Sequence, residues 1–333
     1  MATTPVASGL QFRSGHMTTA FCKPYTGDRL IMPETTSDPA VQAGISNIIG
    51  TMPSPGVSIT NNFGDVQTIG SARDVAKWAG RKEVTIQNRI QLSDPRFMLY
   101  CVRDHTNPGK AGTIQGLPLL AFEIGTGSEF GAAAEANQYL DCLINTWRLD
   151  FAEGQPVSLD TGIFAMCELP VASPQGRNPA DGVILLWHHA SWIVNGYDYK
   201  PWLSRIGLQG SNTVTREGTR NQYGELGPNE LAISRTPLGL VPHYETIAAN
   251  YGLRDQLPAA LRNSADWGAV TLYAEQPGTG SNRRWLKIVI DHNHMNNENR
   301  NQTQANQPLS FTADTSSRVV TITAGLTNPP GAV

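Results

Sequence analysis

Four short blocks recur in the same order in the two halves of this chain. Gly125-Thr126-Gly127-Ser128 returns as Gly278-Thr279-Gly280-Ser281, and Gln155-Pro156-Val157-Ser158-Leu159 returns as Gln307-Pro308-Leu309-Ser310-Phe311. Tyr139-Leu140-Asp141-Cys142-Leu143-Ile144-Asn145 lies over Trp285-Leu286-Lys287-Ile288-Val289-Ile290-Asp291. Upstream, Ala79-Gly80-Arg81-Lys82-Glu83-Val84-Thr85-Ile86 lies over Leu226-Gly227-Pro228-Asn229-Glu230-Leu231-Ala232-Ile233. The spacing stays near about 150 residues, an ordinary domain size, and drifts only where loops absorb insertions. Each match alone is weak, but four in one order predict a duplicated domain. A chain that repeats one fold tends to build a repetitive surface or a ring rather than a single catalytic cleft.

The composition agrees with many short strands joined by turns. Hydrophobic residues make up 40% of the chain, charged residues only 16%, and 32 Gly and 22 Pro supply the punctuation. A net charge of −3 gives no electrostatic reason to hold nucleic acid. So low a surface charge keeps free monomers apart poorly, which favours assembly. Cys22, Cys101, Cys142 and Cys167 are widely spaced, without a C-x-x-C pair, and read as buried free thiols. The N-terminal stretch has neither a basic segment nor an apolar core, so no secretory leader is expected. No apolar run reaches the ~20 residues of a membrane helix, and no membrane insertion is expected.

The expected fold is mainly β with minor α: two tandem β-sandwich or barrel-like domains, each with one flanking helix and one long hairpin. Residues 1–50, rich in Thr, Pro and Gly, read as an extended arm. Residues 51–168 form the first domain, 169–184 a Pro- and Gly-rich linker, and 185–333 the second domain. In the first domain Val57-Ser58-Ile59 opens a strand, Asn61-Asn62 a turn, and Glu83–Ile90 alternates as a half-buried strand. Pro95 sits at the first turn of a short helix over 97–102. Strands follow over 117–124, 139–151 and, after the turn Glu153-Gly154-Gln155-Pro156, over 157–166. In the second domain strands are expected over 205–208, 231–234, 270–274, 285–291, 309–313 and 319–323. A longer helix is expected over 244–261, and a polar loop over 292–306.

Chemical sites were sought and set aside. His292 and His294 beside Asp291 have strand spacing for two metal ligands, but no further ligand stands near, so no metal site is expected. His188-His189 reads as framework. Neither Gly-Thr-Gly-Ser block continues into the Lys-Ser or Lys-Thr of a phosphate loop, and Gly109-Lys110 lacks the rest of one. No nucleophile elbow or His-Glu-x-x-His helix is present. Asn301-Gln302-Thr303 fits a glycosylation sequon but, with no secretory leader, reads as chance. Trp147, Trp187, Trp192, Trp202 and Trp285 could form a sugar-stacking face, although aromatics in strands more often serve core or interface. No catalytic residue, cofactor or metal is expected, and no enzymatic activity.

The block from Tyr139 to Asp160, with its long strand, Gly-containing turn and Pro-Val-Ser-Leu return strand, resembles the tail tube (major tail) proteins of long-tailed bacteriophages of the siphophage type. Gly70-Ser71-Ala72-Arg73-Asp74 followed by Ala79–Thr85 resembles that family's entry into its first long strand. The resemblance covers about residues 50–166; the second copy departs from it at Pro228-Asn229 and in the 292–306 segment. It implies a β-sandwich with a flanking helix, in rings whose inner strands line a channel that conducts DNA. With the duplication it implies homotrimeric rings of pseudo-six-fold symmetry, stacked into the non-contractile tail of a virion after synthesis in the host cytoplasm. The hairpins over 139–165 and 285–323 would form the tube wall, and the 1–50 arm would bridge rings. Implied partners are a tape-measure protein and transiting DNA in the channel, and tail terminator and baseplate proteins at the ends. Two other classes fit the same strand-rich composition: another virion β-protein (capsid, decoration or baseplate subunit), and a carbohydrate-binding β-sandwich using the Trp residues.

Overall fold

The computed structural model describes residues 18–24, 56–66, 76–92, 95–101, 113–114, 117–118, 120–127, 133–170, 184–194, 196–218, 230–233, 241–246, 269–276, 284–291, 294–301, 310–316 and 319–325. They are mainly β. The strands of the first half are β1 (Thr18–Pro24), β2 (Gly56–Val66), β3 (Ala76–Gln91), β4 (Thr113–Ile114), β5 (Leu117–Pro118), β6 (Leu120–Gly127), β7 (Ala133–Ala152), β8 (Ser158–Ala165) and β9 (Cys167–Pro170). Those of the second half begin with β10 (Ala190–Val194), β11 (Tyr197–Asp198), β12 (Leu203–Ser211), β13 (Val214–Glu217), β14 (Glu230–Ile233) and β15 (Val241–Thr246). They end with β16 (Val270–Glu275), β17 (Trp285–Asp291), β18 (His294–Asn301), β19 (Ser310–Ser316) and β20 (Val319–Gly325). Short 3-10 helices occupy Pro95–Tyr100, Trp187–His189 and Lys200–Trp202.

Alternation in the sequence sets the faces of these strands. Along β3, Val84, Ile86, Asn88 and Ile90 are buried while Gln87 and Arg89 are exposed, the two-residue period of a strand with one wet face. Gly154, at φ 71, and Gln155, whose N–H bonds the Ala152 carbonyl, close the tight turn from β7 into β8.

All pairings are antiparallel, and the order of strands repeats. One sheet runs β18-β19-β15-β12-β7-β8-β3-β2, so β7-β8-β3-β2 in the first half matches β18-β19-β15-β12 in the second. The remaining pairings repeat as well: β1-β6-β7-β9 matches β10-β16-β17-β20. The registers agree with the block that sets Tyr139 over Trp285, since Phe122 pairs Tyr139 in one half and Glu275 pairs Trp285 in the other. The upstream block is corrected: the place of β3 in the second half is taken by β15, whereas Glu230–Ile233 is β14, in a separate two-stranded sheet with β13. β7, at 20 residues, serves both sets of pairings. Its counterpart is divided into β17 and β18, and only β18 joins the large sheet.

Several sequence expectations change. Thr18–Pro24, inside the expected arm, pairs with β6 along its whole length, because its Thr-Thr-Ala-Phe-Cys run is good strand sequence. Asn61-Asn62 is no turn: β2 continues through it with a bulge between Asn61 and Phe63. The short helix is 3-10 and starts at Pro95. Leu169 and Pro170, expected in the linker, end β9, whereas residues 171–183 lie outside the described residues. Tyr244–Thr246, expected to open a helix, pair with Leu203, Arg205 and Ile206 in a strand; the helix expected over 247–261 lies outside the described residues. Most of the expected 292–306 loop is strand β18, because pairing with β19 satisfies its backbone whatever its side chains. The expected 285–323 hairpin is divided: β17 pairs with β20, and β19 pairs with β18 and β15.

A single apolar cluster joins the halves. It takes Ile86, Leu149 and Leu159 from the large sheet, Trp192, Leu272 and Ile288 from the five-stranded sheet, and Phe97 and Met98 from the first 3-10 helix. Among the described residues, this cluster thus packs the two sheets against each other. A satellite cluster of Leu140, Leu143, Met166, Cys167 and Val214 sits beside it. Cys101, Cys142 and Cys167 are buried, as expected.

Candidate assembly interface

The two repeats meet along one seam, where β12 pairs antiparallel with β7 from Arg205 opposite Ala152 to Ser211 opposite Thr146. Here the second repeat presents the strand equivalent to β2, and the first the strand equivalent to β18. The backbone ladder supplies most of the contact, and four side-chain features fix its register.

At one end Arg205 donates Nε and Nη2 to the two carboxylate oxygens of Asp150, both at 2.7 Å. One pairing before the other end, Gly210 lies opposite Trp147, and a Cβ there would meet the indole ring at 2.8 Å, so only glycine fits. At the other end β7 bulges at Asn145, between Ile144 and Thr146. The Asn145 carbonyl accepts the Asn212 N–H at 2.7 Å, and its Oδ1 accepts the Val214 N–H at 2.8 Å. Asn212, 3% exposed, donates Nδ2 to the carbonyls of Ile144 (2.7 Å) and Cys101 (2.9 Å). Thr213 turns the chain at φ 48 so that β13 can leave the sheet.

β13 carries a second tie. Arg216 donates Nη1 to Glu83 (3.0 Å) and Nη2 to the Val84 carbonyl (2.8 Å) and Thr85 Oγ1 (2.7 Å), and its guanidinium stacks 3.7 Å from the Phe164 ring. Arg81 binds the other oxygen of Glu83 and donates to the Arg216 carbonyl at 2.9 Å. Burial pulls the Arg216 pKa down, with Arg81 adding to the shift, while Glu83 opposes it. The Arg216 side chain is thus held in a site that the first repeat builds from Glu83, Val84, Thr85 and Phe164.

The large sheet has one dry face and one wet, polar face. Cross-strand rows on the wet face read Gln87, Gly162, Thr146, Ser211 and then Arg89, Asp160, Arg148, Gln209. Arg89, Arg148 and Arg205 stand among Asp150 and Asp160, and the Arg89–Asp160 pair is 3.7 Å apart. Among the described residues charge of both signs is interleaved on this face, and no basic stripe forms. This face lines a concavity.

Among the described residues, the eight-strand path of the large sheet ends on two open edges: β2 pairs only with β3, and β18 only with β19. Ile59 on β2 is one of few exposed large apolar side chains, at 42%. Such edges invite pairing with another chain.

Other sequence candidates take framework roles or stay undescribed. His189 Nδ1 accepts the Leu186 N–H at 3.2 Å, and burial, then His188 and Lys200, lower its pKa. Trp147, Trp187 and Trp192 are buried, so they form no sugar-stacking face. Among the described residues no cluster of three His, Cys, Asp or Glu could hold a metal. The side chains of Asp291, His292 and His294 lie outside that description. No described helix is long and apolar enough to cross a membrane. The seam itself escaped sequence reading, although its signal was present: Gly56-Val57-Ser58-Ile59-Thr60-Asn61 and Gly207-Leu208-Gln209-Gly210-Ser211-Asn212 share Gly at the start and Asn at the end. In comparison with known proteins, the chain matches no protein-family model and no curated protein.

Proposed function

We propose that this chain is a structural subunit that polymerises, its copies joining edge to edge into rings that stack as the hollow tail tube of a bacteriophage. The observation that carries this reading is the tandem strand order. A unit β7-β8-β3-β2 is joined side by side to its own counterpart, and the same two kinds of edge are left open at the ends. A contact that already joins two repeats within a chain can join two chains, and a repeated head-to-tail contact that closes on itself gives a ring. Closure removes both edges, the general solution for a β-sheet. Three chains would supply six repeats and the pseudo-six-fold ring implied by the sequence resemblance.

The wet face of the sheet suits a channel for a polyanion. A strongly cationic wall would bind phosphates through counterion release, whereas interleaved Arg and Asp with Gln, Ser and Thr leave DNA free to slide. In this reading the tape-measure protein and then DNA occupy the bore, terminator and baseplate proteins cap the ends, and the virion tail is where the protein works.

Negative-stain electron microscopy of the purified protein across a concentration series tests the proposal. Hollow tubes with a regular axial repeat support it. Closed shells or flat caps would assign the chain to another part of a virion. Monomers at every concentration, even when seeded with tail tips, would remove the assembly reading.

A further inference from the structure

The internal seam predicts the contact between chains residue by residue. One sequence match and the registers within each repeat align the two halves. With Ser158 placed over Ser310, the pairings Gln87–Gly162 and His243–Asp314 place β3 over β15. The pairings Gly56–Gln87 and Gly207–His243 then place β2 over β12. Gly56 falls on Gly207, Thr60 on Ser211 and Asn61 on Asn212. The bulge after Asn61 falls on Thr213, where the chain turns at positive φ.

The opposite edge aligns as closely. Pairing with β8 and β19 places Arg148 over Asn299 and Asp150 over Asn301. β7 skips Asn145 between Ile144 and Thr146, and β18 skips Asn296 between Met295 and Asn297. Both edges carry a bulge at one position, and both bulged residues are asparagines. Nothing within the described part of a single chain takes up the β18 edge.

We infer that β2 of one copy pairs antiparallel with β18 of a second copy in one register, locked by the bulged Asn296. Gly56 lies opposite Asn301, Ser58 opposite Asn299 and Thr60 opposite Asn297. The Asn296 carbonyl of the second copy receives the Asn61 N–H of the first, its Oδ1 receives the Phe63 N–H, and Asn61 Nδ2 reaches the Met295 carbonyl. These contacts repeat those of Asn145 with Asn212 and Val214, and of Asn212 with Ile144. The seams are not copies in every position. Trp147 against Gly210 becomes Glu298 against Ile59, so bulk moves to the other strand. Two seams of different shape let a chain fold its own β12 onto β7 first and keep β2 and β18 for a neighbour. This inference rests on the assembly reading and adds its register.

Cysteine pairs across the seam test it, with tubes and cross-links scored on the same sample. Directly opposed cross-strand positions come within disulfide reach and a shift of two residues does not. Under mild oxidation Ser58→Cys with Asn299→Cys should give covalent chain-to-chain ladders, and Ser58→Cys with Asn297→Cys or Asn301→Cys should give several-fold fewer. Asn61→Ala and Asn296→Ala should each raise the critical concentration for assembly by about tenfold, the loss of one or two hydrogen bonds, while Asn61→Ala leaves the monomer's melting temperature unchanged. Asn61 is exposed in the single chain, which makes that control meaningful. Tubes that cross-link best in a shifted pair, or in none, overturn the register and spare the assembly reading. A wild-type protein that never assembles overturns both.

Discussion

Arg205 and Asp150 tie the two repeats together through two parallel hydrogen bonds of 2.7 Å across the internal seam. The Arg205 side chain is 31% exposed and that of Asp150 only 13%, so solvent screens the pair in part. Arg205→Ala is expected to lower stability by about 1 kcal/mol in urea unfolding, with a coupling to Asp150→Asn that shrinks in salt.

Asn212 is the costlier loss. Its amide serves two buried carbonyls, and no other residue in the seam replaces it. Asn212→Ala is expected to destabilise by roughly 2–3 kcal/mol, and Asn212→Asp by more, because a carboxylate would face the same two acceptors. Equal stability of wild type and Asn212→Asp in chemical denaturation would contradict this.

Gly210 faces a ring that cannot move away, since Trp147 is 2% exposed. Gly210→Ala is expected to cost roughly 1–3 kcal/mol by overpacking. Tryptophan fluorescence should report a shifted Trp147 environment in the folded variant.

His189 gives the fold a pH dependence with a defined sign. Its Nδ1 accepts a backbone hydrogen bond, so the neutral ring is the one that fits, and burial, His188 and Lys200 hold the folded pKa below 6.5. The unfolded chain therefore binds more protons between that lowered value and about 6.5. Stability rises with pH through this window, and the contribution of His189 is lost as pH falls below about 6.5. His189→Gln should flatten the dependence in unfolding curves at pH 5 and 7, and NMR titration should place the wild-type midpoint below 6.5.

Much of the fold was legible in the sequence. The alternation from Glu83 to Ile90, the Gly154 turn and the Gln155-Pro156 block are local signals, and each marks a real strand or strand junction. The failures have physical causes. Tyr244–Thr246 carries helix-compatible residues, and only pairing with β12 makes it a strand. The Asn-rich stretch in β18 has no apolar alternation to betray it, and its register comes from β19. The seam is harder still, because Asn145 stands 69 positions from Val214, and Asn212 stands 68 from Ile144 and 111 from Cys101. No window of sequence contains that contact, although the Gly-to-Asn spacing shared by β2 and β12 was visible once their registers were known.

Cryo-electron microscopy of the assembled protein tests the central claim most directly. The account predicts one continuous sheet around a ring, with density from β2 of each chain passing into β18 of the next and Arg89, Asp160 and Arg148 turned toward the bore. Rings in which β2 and β18 both face solvent, or in which that polar face lies on the outside, would contradict it.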